Sequence, residues 1–287
     1  SRLMAVLCEV WLPGYYWHPV QPEASLYPRT PLIDELQRLE HGRDRMVGID
    51  GILFPGTSVI FDFQDIRQHD PVANASYVNL LTSLGTYDPL QYYAKWYDTG
   101  THLLDFLNVR WVVTDASLDL ADRERYREVY HGADGRIYEN REVLPRFFAV
   151  RSAVVARDAA STTDVLVKLS DWSRLATVRE DVGTLSPARV DILKVNTTRY
   201  DLRVNAGGRA LVVSSVPMWP GWRVRVNGTR VVPITVNSAF IGFIVPPGTS
   251  DVRVSYVPMT FWIPAIASLI TSLVLLLLLI APRFASR

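Results

Sequence analysis

The chain has 287 residues, 48% of them hydrophobic and 21% charged, with a net charge of +1. That length supports one or two domains with real cores, and that composition excludes a disordered chain. The single cysteine, Cys8, excludes a disulfide framework and a cysteine-based zinc site, and the near-neutral charge without a basic run argues against a nucleic-acid partner.

The first element, Leu3 to Leu12, is apolar but too short to span a bilayer, and Glu9 interrupts it. No small-residue cleavage site follows, so a signal peptide fits poorly. The segment 1–19 reads as the outer end of an earlier membrane helix, with Trp11, Tyr15, Tyr16 and Trp17 as its interfacial belt. The chain is then expected to be the C-terminal part of a longer, multi-spanning protein.

Residues 20–187 alternate helical and strand patterns, which predicts a mixed α/β lobe. Thr30 and Pro31 open a helix, Leu32, Ile33, Leu36 and Leu39 form its apolar face, and His41-Gly42 ends it. Arg45 to Gly56 reads as a strand running into a loop. A second helix follows, with Asp70 as cap, Pro71 as first residue and Gly85 as stop. A short helix then feeds a buried strand, Val109 to Thr114. Tyr126 to Asn140 reads as a hairpin turning at Ala133-Asp134-Gly135. "LPRFFAVRSAVVA" predicts one more strand, and Thr162 to Asp171 a short helix capped by Ser161.

From Ala188 the pattern changes to seven short strands separated by turn residues, which predicts an all-β sandwich of jelly-roll or Ig-like type over 188–258. Asn227-Gly228 is a type I′ hairpin signal within it, and Pro246-Pro247-Gly248 marks another turn. Trp222 shares parity with Val224 and Val226 and belongs to the core; Trp219 is free to reach the surface or the lobe. Phe261 to Ile280 carries no charge over about the 20 residues a helix needs to cross a bilayer, so 261–281 is a predicted membrane helix. Pro264 falls in its first turn. Arg283 and Arg287 follow it, and the positive-inside rule puts the tail 282–287 in the cytoplasm and the bulk of the chain outside. The fold class expected is thus α+β: a mixed lobe, a sandwich and one C-terminal transmembrane helix.

An ordered set of segments carries a family resemblance. "LLDFLNVRWVVT", "IYEN" before "LPRFFAV", "WPGWRVRVNG" and "VPPGTSDVRVSYVPMTFWIP" resemble the C-terminal portion of YfhO-like bacterial membrane proteins, and "DIRQHDP" resembles a further segment. That family is similar to GT-C glycosyltransferases, multi-spanning enzymes that use lipid-linked sugar donors. The resemblance implies a bacterial cell membrane location and transfer of a sugar from a polyisoprenyl-phosphate donor to a cell-envelope glycopolymer. Inversion at the anomeric carbon with a carboxylate base is implied too. In GT-C enzymes that carboxylate lies in an outer loop near the first membrane helices, so no catalytic residue is carried onto this chain and no cofactor is expected in it. The chain would support acceptor recognition or the active-site loops. The alternative is a non-catalytic, membrane-anchored glycan-binding or structural module.

Few residues suggest chemistry directly. Asp65, His69 and Asp70 lie close together, and such a set binds metal or shuttles protons; the plainer reading makes Asp70 a helix cap and Asp65 a loop residue. The five histidines show no metal-ligand spacing, and no P-loop, G-x-S-x-G or G-x-G-x-x-G occurs. Tyr87 to Gly100 concentrates aromatics, among them Tyr93 and Trp96, which either stack on a sugar or pack between lobe and membrane. Candidate substrate contacts are therefore Asp65, Asp70, Tyr93, Trp96 and Trp219, with no metal ligands.

Overall fold

The structure is a computed structural model. It describes residues 27–40, 44–54, 56–67, 72–88 and 94–284, together with Glu9, Pro22, Ser25 and Gly42; side chains are described as far as residue 278. The expected segment 1–19 otherwise lies outside the described residues, as do His69, Asp70, Pro71 and Tyr93.

The lobe opens with α1 (Pro31–Leu39), whose N-cap Thr30 accepts from the N–H of Ile33. Its buried face is Leu32, Ile33 and Leu36, and Glu40 caps its C-terminus, one residue before the predicted stop. Strand β1 (Arg45–Gly48) and the short α2 (Thr57–Phe61) follow. The next helix, α3 (Ala75–Leu84), corrects the sequence reading. Asn74, not Asp70, is its N-cap: the amide oxygen accepts from Tyr77 N, and the amide nitrogen donates to the Met218 carbonyl at 2.9 Å. An asparagine serves both bonds, which a carboxylate does not.

Strands β2 (Tyr87–Asp88) and β3 (Lys95–Trp96) pair, and α4 (Leu103–Phe106) leads into β4 (Val109–Thr114), as predicted. The hairpin β5 (Tyr126–Gly132) and β6 (Gly135–Asn140) also forms where expected. The single strand predicted next is two, β7 (Phe147–Val150) and β8 (Ser152–Val155), broken at Arg151 because the halves pair with different partners. Helix α5 (Ala159–Leu166) starts earlier than predicted. Asp158 caps it and Ser161 is the third helical residue, the two bonding reciprocally in a capping box. Strand β9 (Leu175–Val178) closes the series.

The sandwich strands are β10 (Ala188–Asn196), β11 (Arg199–Ala206), β12 (Ala210–Pro217), β13 (Trp222–Val226), β14 (Thr229–Val231), β15 (Ile234–Val236), β16 (Phe240–Val245) and β17 (Gly248–Tyr256). There are eight rather than the seven predicted, because Val232-Pro233 splits the stretch "RVVPITVN" and takes the chain from one sheet to the other.

Three sheets build the body. A four-stranded sheet runs β1-β4-β6-β5, a five-stranded sheet β10-β11-β17-β13-β14, and a six-stranded sheet β7-β12-β16-β15-β9-β8. The six-stranded sheet lies in the middle. Ala210, Val212 and Val216 of β12 pack with Leu202, Val204 and Val254 of the five-stranded sheet. Leu211 and Val213 face the lobe, in one core with Phe106, Val112 and Tyr138. With both faces covered, β12 is buried from Ala210 to Val216 without alternation. Each such aliphatic side chain contributes roughly 1.5–3 kcal/mol on full burial. Arg45 stitches the layers: half-buried, it donates to the Leu107 carbonyl and to both oxygens of Ser215. Burial, with Arg146 nearby, lowers its pKa to about 10.

The outer face of the five-stranded sheet is polar by alternation. Arg189 and Lys194 of β10, Arg199 and Arg203 of β11, Arg253 of β17, Arg223 and Arg225 of β13 and Arg230 of β14 share it. The acids there are Asp191, Asp201 and Asp251.

After β17, α6 (Met259–Phe284) leaves the body. Its Met259–Leu278 segment, with mean hydropathy 2.3, is long and apolar enough to cross a membrane, and none of its most apolar window is buried. A core helix would be covered by its own protein. Thr271 and Ser272 return their hydroxyls to the carbonyls of Ala267 and Ser268, which satisfies those two donors within the helix. The N–H groups of Phe261 and Trp262 bond the Pro258 carbonyl, so the helix begins before Phe261 and Pro264 sits beyond its first turn.

Candidate functional site

The sequence-selected residues scatter. Asp65 is buried and pairs with Arg67, whose Nη2 lies 2.7 Å from the carboxylate. Arg67 also donates to the carbonyls of Ile52 and Leu53, so the pair shapes the turn after β1. Burial pushes the Asp65 carboxyl above the usual carboxylate range, and Arg67 opposes that push. Trp96 is fully buried: it stacks obliquely on Tyr87, lies over Gly85 and donates its indole N–H to the Asp98 carbonyl. Stacking on a sugar needs an open ring face, which Trp96 lacks. Trp219 is 37% exposed at the bend before β13 and keeps a face in solvent. Trp222 packs obliquely between Tyr200 and Tyr256, with ring centroids 6.0 and 5.1 Å away.

Another group converges instead. α4 buries Leu103, Leu104 and Phe106 in the core, and the Phe106 ring meets Phe240 edge-on at 4.8 Å and Trp172 at 5.1 Å. That anchoring turns His102 and Asp105 toward a cleft of about 240 Å³ shared with Glu142, Leu144, Ser170, Asp171 and Trp172. One Asp105 oxygen accepts from Arg125 Nη2 and from Asn140 Nδ2, each at 2.7 Å. The other lies 3.0 Å from His102 Nδ1. Arg125 is itself held by the carbonyls of Thr99, Gly100 and Thr101. Its Nε is buried without a hydrogen-bond partner, 3.7 Å from Glu142 Oε2. The same Glu142 oxygen is 3.7 Å from His102 Nδ1. Across the cleft, the Ser173 hydroxyl and the Arg174 guanidinium hold the Asp171 carboxyl below its ordinary range.

The arrangement is an imidazole fixed at one nitrogen by a braced carboxylate. Nδ1 engaged with Asp105 leaves Nε2 to accept or donate a proton toward a ligand. Glu142, half exposed, is a second hydrogen-bonding group. The nitrogen and one oxygen of each carboxylate lie within 4.8 Å of one another, close enough to share a cation. Arg125 already neutralises Asp105, which weakens such a site for a divalent ion. His102 and Asp105 stand three apart on one helical turn, a pairing open to sequence reading. Arg125, Asn140 and Glu142 arrive from both ends of the β5–β6 hairpin, and no local pattern links them to α4.

The fold and the apolar helix together define the class: a mixed α/β lobe and β-sandwich joined to a membrane span, in a membrane protein. Residues 167–268 match the model of the family described as Bacterial membrane protein YfhO. The match runs from the end of α5 through β9 and the sandwich into α6. It covers less than half of the chain, and over that stretch the chain is YfhO-like. It includes the Ser170–Trp172 wall of the cleft but not His102, Asp105 or Glu142. No curated protein and no solved structure matches the chain.

Proposed function

We propose that this chain is the extracytoplasmic C-terminal region of a multi-spanning glycosyltransferase. The enzyme would move a sugar from a polyisoprenyl-phosphate donor to a cell-envelope glycopolymer. The observation that carries this reading is the YfhO family match across the sandwich and the start of the membrane helix. In this reading the His102 cleft receives acceptor hydroxyls. Nε2 of His102, the Glu142 carboxylate and Ser170 offer hydrogen bonds, and Trp172, packed on the buried Phe106 ring, lines the cleft beside them. The chemical step belongs to carboxylates in other parts of the full-length protein. The bracing of Asp105 by Arg125 and Asn140 favours recognition over proton transfer from Asp105 itself, and it also supports a second reading, a non-catalytic glycan-binding module.

The test uses full-length protein in cells lacking their own copy. His102→Ala combined with Glu142→Gln is expected to lower the sugar content of the envelope polymer at least about tenfold, at unchanged membrane abundance. Unchanged glycosylation at equal abundance removes the cleft from the reaction. Binding of the isolated polymer without any glycosylation defect selects the second reading.

A further inference from the structure

Strand register places arginines side by side on the outer face of the five-stranded sheet. Arg253, Arg225 and Arg230 occupy directly paired positions on β17, β13 and β14. Asp201 is the one acid in that row, which continues to Lys194 of β10, and it is already bonded by Arg199 and Arg253. Like charges directly opposite one another destabilise a sheet, so folding alone gives no reason for the row. The next row toward α6 brings Arg199 and Arg223 to either side of Ser255. Among the described residues, Arg223, Arg225 and Arg230 form no ion pair with an acid. The whole face carries eight basic and three acidic side chains, a surplus of five positive charges on a chain whose total is +1. Arg203, Arg225 and Arg253 also rim a shallow depression of about 370 Å³.

We infer that this face binds the anionic headgroups of membrane phospholipids. Its position selects that occupant. β17 enters the apolar helix only four residues after Ser255, so the Arg199–Arg223 row starts within about 14 Å of the span. The Arg225 row follows two residues, or about 7 Å, further along the strands. The headgroup layer extends about 5–8 Å beyond the hydrocarbon, so the Arg199–Arg223 row lies within about one Debye length of 8–10 Å of it, and the Arg225 row stands behind it, where the attraction is weaker. Phe261 and Trp262 at the helix start add the aromatic layer expected at that depth. The inference does not depend on which side of the membrane the sandwich occupies.

The experiment places the full chain in bilayers containing spin-labelled phosphatidylglycerol or phosphatidylcholine and measures the protein-associated fraction of each. The wild-type chain is expected to prefer phosphatidylglycerol by about threefold or more, and to lose most of that preference at about 0.5 M salt. R223Q/R225Q/R230Q/R253Q should lose at least half of the preference, while the same four positions changed to Lys keep it. Amide exchange of β11 and β12 confirms that the Gln variant is folded; if it is not, R225Q/R230Q at the sheet edge gives the same comparison. Equal lipid preference in a folded Gln variant and the wild type overturns the inference. So does short-chain polyphosphate that binds the wild-type face in phosphatidylcholine bilayers while phosphatidylglycerol shows no preference, which would assign the face to a soluble polyanion.

Discussion

Glu40 shows how a single side chain ties stability to pH. It ends α1, and its carboxylate accepts from the Gly42 N–H at 3.0 Å. Burial, opposed by that N–H, raises its pKa to about 6, with Asp62 and Asp44 adding repulsion and Arg146 relieving part of it. A folded-state pKa above the unfolded value of 4.5 means that the native chain binds the extra proton. The stability from this site is therefore whole below about pH 4.5 and declines as pH rises through about 6. Glu40→Gln keeps the Gly42 bond and is expected to raise the melting temperature at pH 7, with the gain gone at pH 4.5. Thermal unfolding of the solubilised chain at the two pH values checks this, and equal melting temperatures at pH 7 would refute it. Sequence reading had no access to this strain, because Asp62, Asp44 and Arg146 meet Glu40 only in the fold.

At the scale of elements, short-range signals carried far. Asn227 and Gly228 adopt φ of 50° and 82°, as a type I′ turn requires, between Val226 and Thr229. Asn227 also accepts from the Asp251 N–H at 2.8 Å, tying the turn to β17. A Cβ on Gly228 would meet no atom within 4 Å, so Gly228→Ala should cost only the conformational term, about 1 kcal/mol. Chemical denaturation measures it, and a loss above about 3 kcal/mol would reveal a contact the structure lacks. Caps were less legible. Asn74 and Asp70, like Asp158 and Ser161, are each two acceptable cap residues a few positions apart, and spacing alone does not choose between them. Asn74 holds its place through Met218, 144 residues away in the chain.

At the scale of the molecule, the central sheet decides the rest. Three of its strands, β7, β8 and β9, precede Ala188, and three, β12, β15 and β16, follow it. Removing 188–258 would strip those last three and expose Phe106, Phe148 and Trp172, which share one core with Leu211 and Phe240. A chain lacking 188–258 is expected to lose cooperative unfolding and amide-exchange protection in β4 and β6. A protected, cooperative lobe would refute the shared core. Deleting the sandwich therefore cannot separate function from folding, whereas substitutions at His102 and Glu142 can.

By itself the sequence determined what neighbouring residues decide. The apolar span, the alternating strands, the Asn-Gly turn, the α4–β4 unit and the α+β class follow from local spacing and hydropathy. Tertiary structure decided which strands share a sheet, that β12 is covered on both faces, and that Asp65 and Trp96 are occupied by the interior. It also brought Arg125, Asn140 and Glu142 to His102, and set Arg225, Arg230 and Arg253 in one row. Each of these depends on register and packing between segments far apart in the chain. Alternation shows that a side chain points outward, but only strand pairing shows what stands beside it.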